Sequence, residues 1–339
     1  MASPPVSHRP GVPSLTRNKV LLIVSLAITW WIASLVPQYK PTIQAKFRAR
    51  LNEALQKLPS IKVDWDVTSS DPRNAYNSSK VALLIEPRPL PHLVPQILHM
   101  ISVVPPDWRF LFIGSEKSVV SVGRAYATKH QQVIGKLDLM VLPEPWKIDN
   151  REDAFRLLTD IRFYDEFLPG VEWLLRYESD SLLCANSGSS LNDWLDWSWV
   201  GAQRKFGDAY AGNGGLSLRR VSVIRQILGF QARRNDTEPE DQWFSVRVPT
   251  LPGAKVTTAT DQRFAVEDVW FTSPMGYHVP NGGHNLSDAV WGSAGRRKQI
   301  FDYCPELTMI MDMKLERERC YTQNRPVGNP WTDASYPPS

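Results

Sequence analysis

The feature that most constrains the fold is an alternation beginning at Val81, where apolar runs of strand length take turns with amphipathic segments of helix length. That alternation belongs to a parallel sheet, because each return between parallel strands needs a crossover long enough to hold a helix. Strands are expected over 81–85, 109–113, 137–142 and 173–177, and helices over 93–103, 117–130 and 153–167. In the last helix Phe155, Leu158, Ile161 and Phe163 fall near helical spacing. From about Trp199 the pattern changes to shorter strands and long loops, with no internal repeat and no linker to split the region. The expected fold class is therefore α/β, a mostly parallel sheet flanked by helices. It forms one domain over 76–325, with a tail at 326–339, and its N-terminal half is shaped for a nucleotide.

Ahead of the domain, residues 20–36 read VLLIVSLAITWWIASLV, uncharged from end to end between Lys19 and Pro37. At about 1.5 Å per residue the run reaches roughly 25 Å, enough for a thin bilayer. Trp30, Trp31 and Ile32 interrupt the small-residue pattern of a cleavage site, which favours an uncleaved anchor over a signal peptide. Basic residues flank both ends, so charge does not orient it. Three glycosylation sequons, starting at Asn77, Asn235 and Asn285, all follow the run and favour a lumenal C-terminal region. The expected organisation is a cytoplasmic tail (1–19), a signal anchor (20–36) and a stem (37–75), helical over 45–58. The expected location is a Golgi or endoplasmic reticulum membrane, with type II topology.

Composition excludes one class of partner. The 39 basic and 35 acidic residues are spread along the chain, giving a net charge of +4 and no basic stripe, so no nucleic acid is expected. Three cysteines without Cys-x-x-Cys spacing exclude a structural zinc site. A bridge from Cys304 to Cys320, with Cys184 a buried apolar residue, is one reading, and three free buried thiols are the other.

Four segments carry candidate chemistry. Glu178-Ser179-Asp180 follows an apolar strand and puts two carboxylates, two positions apart, at the carboxyl end of the sheet, where open α/β sheets bind ligands. Such a pair can hold Mn2+ or Mg2+ with substrate phosphates completing the shell, though it can also be a simple acidic turn. Gly212-Asn213-Gly214-Gly215 permits close backbone approach to a ligand, with Asn213 able to hydrogen-bond sugar hydroxyls, or forms a tight turn. Glu240 and Asp241 open an aromatic helix start, where acidic residues suit the helix dipole and where one of them could act as general base. His278 and His284 sit in a Gly-rich loop, where either could be a metal ligand, a diphosphate contact or simply solvated, and His278, after a strand-like approach, is preferred as the metal ligand.

Taken in order, these elements resemble the GT-A type of nucleotide-sugar glycosyltransferases. More closely, the chain resembles a fungal family of membrane-anchored, glycosyltransferase-like proteins known mainly as a domain of unknown function. The likeness rests on Leu83-Leu84-Ile85-Glu86, the 178–184 segment, Gly201-Ala202 with the 212–219 segment, Pro239-Glu240-Asp241 and Tyr303-Cys304-Pro305-Glu306, and it covers about residues 80–310. The resemblance implies a GT-A-like sheet. It gives Asp180 to the metal and diphosphate, with Glu178 standing where the usual motif has Asp. It also puts Ser179 beside the nucleotide with Glu86, Asn213, Gly214 and Gly215 along the donor sugar, and Glu240 or Asp241 on the acceptor side. The expected partners are a nucleotide sugar and a glycan, glycoprotein, lipid or metabolite acceptor. A non-catalytic sugar-binding or scaffold protein of the same fold is the alternative, and a glycoside hydrolase using paired carboxylates is a third.

Overall fold

The computed structural model of the protein describes residues 17–57, 71–205, 212–257, 263–284 and 286–311. They fall into two compact units, divided after Thr68. The first unit holds one helix, α1 (Arg17–Lys57), which runs through the expected anchor and the helical part of the stem. From Val20 to Ile32 its large apolar side chains are exposed, Trp30 most of all at 76%. The Ser25, Thr29 and Ser34 hydroxyls donate back to helix carbonyls one turn earlier. Among the described residues no helix is long and apolar enough to cross a membrane.

The second unit is the α/β domain. Its elements are β1 (Lys80–Ile85), α2 (Leu93–Val103), β2 (Arg109–Ile113), α3 (Glu116–Gly123), α4 (Tyr126–Val133), β3 (Leu137–Met140), α5 (Arg151–Leu158), α6 (Ile161–Glu166), β4 (Trp173–Tyr177) and β5 (Ser181–Leu183). They continue with β6 (Trp199–Ala202), β7 (Asn213–Arg220), α7 (Val221–Phe230), α8 (Glu240–Ser245), β8 (Ala265–Val266), β9 (Gly276–His278), α9 (Asp288–Trp291) and α10 (Ala294–Tyr303). A six-stranded sheet has the order β3-β2-β1-β4-β7-β6 and a three-stranded sheet the order β5-β9-β8. β1 to β4 run parallel, and β7 is antiparallel to both its neighbours. The expected α/β class with a mostly parallel sheet is what forms.

Alternate residues of each central strand feed two cores, as expected of strands buried on both faces. Ala82, Leu84, Phe110, Phe112, Leu175 and Tyr177 pack with α2 and α10. Val81, Leu83, Leu111, Ile113 and Leu174 pack with α5, α6, α7 and α8. The chain leaves β1 for β2 on one side and reaches β4 on the other, so the sheet reverses direction between β1 and β4. A crevice outside the carboxyl ends of such a pair is where these sheets take ligands.

Two expected helices are each broken in two. The 153–167 segment breaks at Thr159-Asp160, because the Thr159 hydroxyl donates back to Phe155 and the Asp160 carboxylate caps a new helix at the Arg162 amide. The 117–130 segment breaks at Arg124-Ala125, where Ala125 turns to an extended conformation. The 137–142 strand stops at Met140, since as the sheet's edge it pairs only with β2.

The cysteine expectation is corrected. Cys184, at the end of β5, is bonded to Cys304, at the end of α10, with a Cα separation of 5.2 Å. A partner 120 residues away is invisible to local spacing. Cys320 and Asn285 lie outside the described residues, while Asn77 and Asn235 are exposed. Closing so long a loop restricts the unfolded chain, and Cys304→Ser is expected to cost about 2–4 kcal/mol. Denaturant melts with and without reductant check this: reductant should shift the native chain and leave the variant unmoved.

Candidate active site

β4 ends at Tyr177 and β5 begins at Ser181, so the turn Glu178-Ser179-Asp180 carries the chain from the large sheet into the small one. Its backbone is tied on every side. The Glu178 amide donates to the Gly215 carbonyl and to the Ser181 hydroxyl, each at 2.9 Å. From α2, Gln96 donates to the Glu178 and Ser181 carbonyls at 2.9 and 2.7 Å. A His92 ring nitrogen lies 2.9 Å from the Ser179 carbonyl. With the carbonyls held this way, the side chains are left to face the cleft.

Register then supplies the histidine. Ser181 pairs with His278 in the β5–β9 ladder, which sets His278 beside the turn. The chain after His278 folds over Asp180: Val279 donates to its carbonyl at 2.8 Å and Asn281 to its Oδ2 at 3.1 Å. Asn281 adopts a left-handed φ of 54° to make this wrap, and Gly282 follows at 63°. His278 Nε2 comes within 3.5 Å of Asp180 Oδ1 and 3.7 Å of Glu178 Oε2. Ligand atoms of Glu178, Asp180 and His278 all lie within 4.8 Å of one another.

The cluster is held together by charge pairing between its carboxylates and the imidazole. Burial pushes His278 toward its neutral form, but contacts with Asp180, Glu178 and Glu267 outweigh it and raise its pKa well above the ordinary histidine value. Burial likewise opposes the Glu178 charge, yet the Arg176 guanidinium and His278 hold its carboxyl well below the usual carboxylate range. Asp180 Oδ1 and His278 Nε2 are both buried and neither has a hydrogen-bond partner. An unpartnered buried polar atom costs about 1–3 kcal/mol, and here two of them face the same point. Two carboxylates and an imidazole fit a divalent ion of the Mn2+ type better than Mg2+, which prefers oxygen alone.

Gly215 makes the seat possible. A Cβ at this position would stand 2.4 Å from His278 Nε2, closer than any packing tolerates. Gly215→Ala is expected to expel the imidazole and weaken Mn2+ binding by ~10–100-fold, read by titration of the folded variant with Mn2+.

A cleft of about 630 Å3 opens above the turn, lined by Glu86, Arg88, His92, Arg151, Asp180 and Asn281 among others. Glu86 follows β1 and is buried, accepting from the Ser179 hydroxyl at 2.7 Å and from Arg88 at 2.7 and 2.8 Å. The Arg88 side chain is 68% exposed. A second cavity of about 520 Å3, lined by parts of α5 and α6 and by the residues after α7, contains none of the cluster, and its Arg156, Arg162 and Arg233 are each paired with a carboxylate.

The remaining candidates form the layer behind the cluster. Gly214 donates to Asp241 Oδ2 at 2.9 Å, and Arg204 pairs with the same carboxylate. Glu240 is 1% exposed, with Arg219 donating to both its oxygens at 2.9 and 3.1 Å and Arg176 standing 3.0 Å away. Both amide ends of Asn213 are used internally, one by the Gly215 amide at 2.6 Å and one by Glu267 at 2.9 Å. His284 is exposed on the turn beyond and does not join the cluster. Sequence reasoning missed Arg176, Arg219, Gln96 and Glu267. Arg176 stands two positions before Glu178, on the same side of the strand, and Gln96 interrupts an apolar helix face, so both left a signal. Glu267 left none.

A family model described as a protein of unknown function (DUF5672) matches residues 136–278, from the start of β3 to the end of β9. No curated protein matches the chain. Among solved structures it is similar to a mannosyltransferase from Pyrobaculum calidifontis in complex with GDP-Man and Mn2+, at 15% identity and a TM-score of 0.35. That match covers 62% of this chain and 60% of that one, so the chain spans about three fifths of the mannosyltransferase. It is also similar to a glycosyltransferase involved in glycosylation of the major capsid of PBCV-1, at 12% identity and a TM-score of 0.36, over 68% of this chain and all of that one. A third similarity is to the glycosyltransferase GlyE of Streptococcus pneumoniae, at 10% identity and a TM-score of 0.41, over 72% and 63%.

Proposed function

We propose that the protein is a metal-assisted glycosyltransferase, taking a sugar from a nucleotide-diphosphate donor and passing it to a hydroxyl of a glycan, glycoprotein, lipid or metabolite. The observation that carries this reading is the pair of buried ligand atoms without a hydrogen-bond partner, Asp180 Oδ1 and His278 Nε2, 3.5 Å apart behind a cleft whose lining includes Glu178 and Asp180. Glu178, Asp180 and His278 would hold Mn2+ or, less well, Mg2+. When bound, the ion offsets the charge that grows on a diphosphate leaving group. Arg88, exposed at the cleft, is held there by both oxygens of Glu86. Arg176 orients Glu178.

On the acceptor side we assign the proton of the attacking hydroxyl to Asp241, whose oxygens meet the Gly214 and Gln242 amides and one guanidinium, Arg204, where Glu240 meets two, Arg176 and Arg219. Glu240 serves as the counter-charge of the arginine pair. The exposed apolar side chains between Val20 and Ile32 support association of α1 with a membrane, short of a crossing. The Cys184–Cys304 bond supports an oxidising lumen of the Golgi or endoplasmic reticulum around the domain.

Calorimetric titration with UDP- and GDP-sugars, in Mn2+ and in chelator, tests the reading. Heat with one nucleotide class, lost in chelator, is the expected result. No heat with any donor favours the non-catalytic sugar-binding alternative, and turnover of a simple glycoside without nucleotide favours a hydrolase.

A further inference from the structure

We infer that Glu267 is a positioning residue that holds His278 in the one orientation able to take part in the cation seat, an inference that rests on the metal-assisted reading above. One carboxylate oxygen, Oε2, meets both His278 Nδ1 and Asn213 Nδ2, each at 2.9 Å. With Nδ1 donating to Glu267, Nε2 is the ring nitrogen that faces Asp180 Oδ1 and Glu178 Oε2, the two oxygens with which it would share an ion. A histidine that ligates a metal through one nitrogen commonly donates the other N–H to a carboxylate, which fixes the ring and makes it a better ligand.

Glu267 is itself fixed in place. Its amide donates to the Gln203 carbonyl at 2.8 Å, just past β6, and its own carbonyl accepts from the Trp291 indole at 3.4 Å. Asn213 completes the support from β7: its Oδ1 accepts the Gly215 amide while its Nδ2 donates to Glu267. The same strand thus clears space for the ring at Gly215 and braces the carboxylate that aims it. The role of Asn213 is then to brace Glu267 rather than to meet sugar hydroxyls.

The test compares the native chain with Glu267→Ala, Glu267→Leu, Glu267→Gln and His278→Ala, each titrated with Mn2+ alone and followed by thermal melting. The Ala and Leu variants should bind Mn2+ ~10–100-fold more weakly, and the Gln variant, whose carbonyl can still accept from Nδ1, should recover most of the loss. In the Mg2+-loaded protein the slowly exchanging His278 Nδ1 proton should give an NMR signal that persists with Gln and disappears with Ala or Leu. The Leu variant keeps the side-chain volume, so it decides the matter should Ala fail to fold. Native affinity in either folded variant overturns the inference if His278→Ala still weakens binding, and leaves the metal site standing. A native chain that binds no Mn2+ overturns both.

Discussion

Asp180→Ala should abolish Mn2+-dependent binding of a nucleoside diphosphate, with a loss of at least ~100-fold, while the melting temperature stays near that of the native chain. On the proposed reading, removing Asp180 deletes a ligand of the ion and a charge that the ion balances against the diphosphate. It removes little that holds the fold. Asp180 Oδ1 has no hydrogen-bond partner to lose, and Oδ2 gives up one amide, from Asn281, worth about 1 kcal/mol. Two other carboxylates, on Glu178 and Glu267, remain against His278. Calorimetry with UDP and with GDP in Mn2+, beside a melt in chelator, gives both readings. Undiminished Mn2+-dependent binding in the variant would move the site elsewhere.

Glu240→Ala should do the reverse, costing about 3–5 kcal/mol of stability whether or not Mn2+ is present. Arg219 is fully buried, stacked over the Trp199 ring at 4.1 Å, and Glu240 is its counter-ion. Arg176 keeps Glu178, but Arg219 is left with the hydroxyl of Ser217 and one long contact to the Gly214 carbonyl. Against a typical domain stability of about 5–15 kcal/mol, a loss of that size is a large share of what holds the chain folded. Glu240→Gln keeps the shape and an acceptor, and should lose less. Chemical denaturation of the three chains measures the difference. If Glu240→Ala melts like the native chain and yet loses turnover, Glu240 is the general base after all.

How far the sequence alone could reach depended on distance along the chain. β1, β2 and β4 and the helix α2 lie within a residue of where apolar runs and helical spacing put them, because each is a local pattern reinforced by burial on two faces. The ends of the two broken helices were set by side-chain oxygens at Thr159 and Asp160 and by a backbone turn at Ala125, which an amphipathic pattern passes over. At the site, Glu178 and Asp180 were visible because a strand end is a position, and position is readable. Their meeting with His278 depends on the β5–β9 register, across nearly a hundred residues of chain. Glu267, which meets His278, needed the β8–β9 pairing before it could be placed, and Arg219, which meets Glu240, needed the β4–β7 pairing. The disulfide was hidden for the same reason.

The hand-over of the chain from the large sheet to the small one has a thermodynamic consequence. Glu178 and Asp180 belong to the junction and His278 to the small sheet, so an ion held by all three binds only when the two sheets are assembled. Free cation concentration then becomes a variable of folding: at a hundredfold excess over the dissociation constant it should add about 2.7 kcal/mol. Melting temperatures across a series of divalent chlorides would therefore rank the candidate ions before any donor or acceptor is known.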